Sequence, residues 1–227
     1  MLEVIGTSLK DVKQAELFGA DRIELCQSMT ESGTTPSYGL IKTTVEAVDI
    51  PINVIVRPHD HSFVYDKDDV ETMIQDIRII KQIGANGIVI GPITKEQKID
   101  IGTLEKLLAE SDGLEVTFHR GFDHVIDQFE ALNTILKYKE ITTILTSGGT
   151  DMATDPNSNL KELVKRTKNT HLTIMPGSGI KLDTLPQFVD NIKPAALHIG
   201  SGVRVNNSYA EGIDQEKIRK VKEIMRR

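Results

Sequence analysis

Residues able to move protons, hold metals or grip anions fall at or near the ends of short β-rich runs in this chain. Glu3 lies in the first run, Glu24 and Cys26 alternate within Arg22-Ile-Glu-Leu-Cys26, and Arg57 ends the third. His119 and Asp123 share the stretch His119-Arg-Gly-Phe-Asp123, and Met175 and His198 belong to the last two runs. A lumen carboxylate of raised pKa, Glu24 or Glu3, could act as a base, with His119 as acid or proton shuttle and Asp123 near enough to orient it. Arg57 offers a guanidinium that could grip a carboxylate or phosphate in bidentate fashion, or pair with Glu24 or Glu3. Cys26, with Met175, His119 or His198 across the lumen, makes a different set: reduced copper prefers thiolate and thioether donors, with imidazole acceptable. The bland alternatives are that Cys26 is a small buried apolar side chain and His119 a hydrogen-bonded lumen residue.

Two glycine-rich turns follow the last two runs, Gly177-Ser178-Gly179 and Gly200-Ser201-Gly202. Backbone N–H groups in such turns can cradle phosphate or another anion, and loops after the last two strands are where many barrels do so. Thr146-Ser147-Gly148-Gly149 is a third turn of the same kind, so Ser147, Gly148, Gly177, Ser178, Gly179, Gly200 and Ser201 form the anion-binding set.

The elements that must position these residues alternate regularly. Runs Leu2 to Ile5, Arg22 to Cys26, Ile52 to Arg57, Gly87 to Ile90, Glu115 to His119, Ile141 to Thr146, Leu172 to Met175 and Ala196 to Ile199 are each followed by an amphipathic stretch. Eight strand–helix units averaging about 28 residues predict a single (β/α)8 TIM barrel spanning 1–227, with an open doubly wound sheet as the rival. Alternation then sends apolar side chains toward the helices, and leaves Glu3, Glu24, Cys26, Asn53, Arg57, Thr117, His119, Thr173, Met175 and His198 in the lumen. Two carboxylates, an Arg, two His and a Cys converging there are costly unless paired or used. No Lys ends a predicted strand inside the lumen, which argues against a Schiff-base aldolase.

The formal charge of −6 argues against nucleic acid as a partner, and no apolar run approaches the roughly 20 residues that cross a bilayer. One cysteine allows no intrachain disulfide, and the start MLEVIGTSLK lacks the pattern of a signal peptide, so a cytoplasmic protein is expected.

Together RIELC, GTTPSYGLIK, VIVRP, GIVIG, VTFHRGFD, ILTSGG and IMPGSGI resemble, in order over most of residues 1–200, the CutC family, named for copper homeostasis. The resemblance implies a cytoplasmic, self-associating barrel, dimer or tetramer, able to bind copper. The family motifs cover Glu24, Cys26, Arg57, His119, Asp123 and Ser147. After Arg57-Pro58 the family commonly has an Arg-Gly-Gly-Asp-Phe type of loop, whereas this chain has His59-Asp60-His61-Ser62-Phe63. Two functions are therefore expected of the barrel mouth: binding a copper ion, or acting as an isomerase, epimerase or lyase on a phosphorylated or carboxylated metabolite.

Overall fold

Strand and helix alternate strictly along residues 1–226, the part of the chain that the computed structural model describes, the side chain of Glu31 aside. The strands are β1 (Leu2–Gly6), β2 (Arg22–Leu25), β3 (Ile52–Ile55), β4 (Gly87–Ile90), β5 (Glu115–Phe118), β6 (Ile141–Thr146), β7 (Thr173–Pro176) and β8 (Leu197–Ile199). The helices are α1 (Leu9–Phe18), α2 (Tyr38–Val45), α3 (Lys67–Ile83), α4 (Ile101–Glu110), α5 (Gln128–Ile135), α6 (Leu160–Thr167), α7 (Leu185–Ile192) and α8 (Gln215–Met225). All strands pair in parallel in the order β7-β6-β5-β4-β3-β2-β1-β8, a nearly closed (β/α)8 barrel. Among the described residues no hydrogen-bonded ladder joins β7 to β8. That seam lies beside the two Gly-Ser-Gly turns.

Local chemistry sets the helix ends. The side chains of Ser8, Ser37, Asp100, Asp127 and Asp214 each accept a backbone N–H at a helix start, and Asp66 forms a reciprocal capping box with Asp69. Gly19 and Gly84 take the left-handed conformation, φ 100° and 86°, that turns α1 and α3 back toward the next strand. Thr35 remains outside α2 and exchanges bonds with Arg57, its Oγ1 accepting the Arg57 N–H at 2.9 Å. The loop after β2 is thereby tied to the end of β3.

The main core lies between sheet and helices, with Val4, Ile23, Val54, Ile88, Val116 and Ile144 all buried. The lumen is not wholly polar, as alternation had predicted: Ile5, Cys26, Ile55 and Val89 pack together inside it, and Leu145 packs with Met175. Strands buried on both faces carry adjacent apolar residues, such as Val4-Ile5 and Val54-Ile55, and one of each pair turns inward. Below this apolar layer Arg22 crosses the lumen from β2 to reach Glu115 at the start of β5 and the Met175 sulfur on β7.

Candidate functional site

Register brings the central group together. β1 pairs with β8 so that Glu3 sits opposite His198, and with β2 so that Glu3 sits opposite Arg22 and Ile5 opposite Glu24. Three adjacent strands thus aim two carboxylates, an imidazole and a guanidinium at one point. The His198 Nδ1 lies 2.7 Å from Glu3 Oε1, and its Nε2 lies 3.5 Å from Glu24 Oε2. Arg22 Nε donates to the other Glu3 oxygen at 2.6 Å. All four residues are buried.

These contacts drive the two carboxylates apart. Burial opposes ionisation of Glu3, but the His198 hydrogen bond and the Arg22 charge outweigh it and hold Glu3 below the ordinary carboxylate range. For Glu24 burial prevails, reinforced by the Glu3 charge and only partly offset by His198, so its pKa is raised. Burial pulls His198 down, yet the Glu24 charge and the Glu3 hydrogen bond more than compensate, and the imidazole is raised above its ordinary value. Cys26, beside Glu24, is pushed well above the usual thiol range by burial and by the Glu24 charge.

Above this group opens a cavity of about 290 Å³ at the C-terminal mouth of the barrel, lined by Glu24, Cys26, His119 and His198 and roofed by Ser178–Lys181, Gly200–Gly202 and Tyr209. His119 is on its far side. Its Nδ1 accepts the Gly121 N–H at 3.0 Å, its ring packs 4.8 Å from Phe63, and its Nε2 is buried with no hydrogen-bond partner among the described residues. Burial, then the nearby Arg57 charge, lowers its pKa to about 3. At neutral pH His119 is therefore an uncharged donor, which differs from the acid or shuttle expected of it.

Other expected site residues are engaged elsewhere. Arg57 does not pair with Glu24 or Glu3, a place taken by Arg22; it donates to the Gly33 and Asp60 carbonyls at 2.8 and 2.9 Å and lies over Phe63. Asp123 accepts from the Ser147 and Gly149 N–H groups, the Thr146 and Ser147 hydroxyls and Arg120. The Gly148 N–H goes to Thr146 Oγ1. An internal carboxylate thus fills the third glycine turn, and Ser147 and Gly148 have no N–H left for an external anion. Gly177 donates to the Thr146 carbonyl, whereas Ser178, Gly179, Gly200 and Ser201 do border the cavity. His59 pairs with Asp69 at 3.2 Å and stacks on the exposed His61, so this pair faces away from the cavity.

Three contributors escaped the sequence reading. Arg22 was visible on the polar face of β2, but its reach to Glu3 depends on register. Lys181 on the cavity rim is four residues past the Gly177 turn. Tyr209, from the segment after β8, lays its hydroxyl over Gly200, where any side chain on residue 200 would collide with it. Fully buried Arg204 anchors that segment, bonding Asp11 at 2.7 Å, the Ile5 carbonyl at 3.1 Å and the Glu211 carbonyl at 2.9 Å.

Glu3, Glu24 and His198 hold donor atoms within 4.8 Å of one another. Reduced copper fits this set poorly. Two of the three donors are hard carboxylates, Glu3 is already committed to Arg22 and His198, and the Cys26 thiol is held protonated. The Met175 sulfur lies 3.7 Å from the Arg22 guanidinium, a cation beside the position a cation would need.

Comparison with known proteins agrees with the architecture. The CutC structure from Streptococcus agalactiae superposes with TM-score 0.81 at 27% identity, over 88% of this chain and 97% of that one. Phosphoribosylanthranilate isomerase from Pyrococcus furiosus, at TM-score 0.64 and 14% identity over 100% and 98% of the two chains, shares the fold alone. In sequence, the CutC family protein of Pasteurella multocida is 37% identical over 90% of this chain and 84% of its own length. The human copper homeostasis protein cutC homolog is 36% identical over 92% and 78%. Residues 1–204 match the CutC family throughout, and the chain belongs to that family.

Proposed function

We propose that this barrel is an acid–base enzyme for a small anionic metabolite, and that the copper homeostasis in its relatives' names reaches it indirectly. The observation that carries this reading is the imidazole of His198 set between two buried carboxylates whose pKa values move in opposite directions. Titratable neighbours separated in this way mark acid and base roles. Glu24, the member that faces the cavity and holds its proton more tightly, exchanges a proton with the substrate. His198 lies 3.5 Å from it and is fixed in orientation by Glu3, itself held by Arg22; these two take no part in the transfer themselves. Lys181 and Arg120 on the rim, with the turns at Ser178-Gly179 and Ser201, suit a phosphate or carboxylate end. The donor set argues against copper as the ligand. A thermal-shift screen of phosphorylated and carboxylated metabolites tests the reading. A stabilising compound should lose its effect in Lys181→Ala and be bound but not converted by Glu24→Gln; if none stabilises the wild type, the reading fails.

A further inference from the structure

The group that the reading above leaves unused is His119. It is only 4% exposed, yet its Nε2 has no partner among the described residues, an uncommon state for a buried polar atom. The ring cannot swing to find one. A side chain at Gly91 would collide with its Nδ1 edge, Phe63 packs against it at 4.8 Å, and the Gly121 N–H holds Nδ1 at 3.0 Å. Because Nδ1 accepts that bond it carries no proton, and the neutral ring bears its hydrogen on Nε2. Burial, and then the Arg57 charge nearby, keep the ring neutral. His119 and Glu24 line the same cavity. A fixed, uncharged N–H donor in a cavity with a carboxylate base is the pairing that polarises a carbonyl while a proton is taken from the adjacent carbon.

We propose that the Nε2–H of His119 donates to the carbonyl oxygen of the substrate, which is a carbonyl compound with an anionic end, and that the reaction proceeds through its enolate. The inference rests on Glu24 as the base. The Glu24 carboxylate removes the proton from the carbon next to the carbonyl, the C–H electron pair becomes the new C=C bond, and the carbonyl π pair moves onto oxygen, where His119 stabilises the charge. The Glu24 carboxyl then returns a proton to carbon and the carbonyl re-forms. Nothing is oxidised or reduced and no co-reactant is consumed.

Two measurements test it. Long-range ¹⁵N–¹H NMR on labelled protein, with His119 assigned from His119→Gln, should show a neutral ring with hydrogen on Nε2 from about pH 5 to 9. A ring that charges near pH 6, or that carries its hydrogen on Nδ1, overturns the proposal. Separately, dihydroxyacetone phosphate, glyceraldehyde 3-phosphate and pyruvate are incubated with the protein in D₂O and loss of the C–H signal is followed. The wild type should exchange at least one of these probes. His119→Ala should slow that exchange about 10²–10³-fold, the loss expected for one oxyanion donor, and Gly91→Ala, which keeps the imidazole but displaces it, should slow it in the same direction. Exchange abolished by Glu24→Gln but unchanged in His119→Ala would refute the His119 role and leave the base in place. Exchange indifferent to both would refute both, and no exchange of any probe by the wild type would refute the carbonyl substrate.

Discussion

Glu3 and Glu24 are the same residue type in the same lumen, and neutralising each should move stability differently. Glu3 is 1% exposed and accepts from Arg22 at 2.6 Å and from His198 at 2.7 Å. Glu3→Gln leaves the buried guanidinium with only the half-exposed Glu115 carboxylate, 3.3 Å away, as counter-charge, which costs about 3–5 kcal/mol. For a chain of this size that is a fall in Tm of roughly 10 °C. Glu24 has its nearest cationic group, His198 Nε2, at 3.5 Å and its pKa is raised mainly by burial. Glu24→Gln removes a charge the fold disfavours, so its stability should stay within about 1 kcal/mol of the wild type or rise. The pH profile separates them further. Glu3, lowered in the fold, stabilises fully above its ordinary value of 4.5, and that contribution is lost as pH falls through its native value. His198, raised, stabilises fully below 6.5 and loses that as pH rises through its native value. Glu24, also raised, contributes below 4.5 and loses this as pH rises through its own native value, so Glu24→Gln should flatten that decline. Urea unfolding of the three proteins across pH measures all of this. Equal destabilisation by the two substitutions, or a neutral Glu3→Gln, would refute the division of roles.

An anaerobic competition titration of reduced copper against a chromophoric chelator should find weak binding that Cys26→Ser leaves unchanged; tight one-to-one binding lost in that variant would restore copper as a ligand. The same raised thiol should react slowly with iodoacetamide at neutral pH in the folded protein and rapidly in urea. Asp123→Asn should lower stability by about 3 kcal/mol, read as a fall in Tm, because the carboxylate closes the loop after β6 through several donors at once. Arg204→Met should cost about 3–5 kcal/mol by the same measurement, since it leaves the Asp11 carboxylate, 6% exposed, without its cation.

What was legible in the sequence was local. Strand β6 spans Ile141–Thr146, the run the sequence marks, because its β-branched residues are neighbours in the chain. The polar face of β2 was visible because Arg22, Glu24 and Cys26 alternate with Ile23 and Leu25. The rest depends on how strands slide past one another and how loops fold back. Nothing in the chain places Glu3 level with both Arg22 and His198, residues 19 and 195 positions away. The apolar half of the lumen was hidden because Ile5, Ile55 and Val89 sit in runs apolar at every position. Asp123 looked catalytic by proximity to His119, yet it closes a loop more than twenty residues on.

The same geometry favours one of the two chemistries expected of the mouth. To hold a cuprous ion Cys26 must surrender its proton, placing a thiolate beside Glu24 in a pocket where Arg22 is already committed to Glu3 and His198 is shared between Glu3 and Glu24. Each new anion there raises the cost of the last. A proton taken up by Glu24, by contrast, neutralises a carboxylate that burial already disfavours. In the proposed transfer it passes between Glu24 and substrate, leaves the Arg22–Glu3–His198 pairing intact and meets, across the cavity, a His119 whose pKa is lowered to about 3. A barrel that pushes its thiol pKa up and its two carboxylates in opposite directions suits the proposed proton transfer better than it suits a cuprous ion.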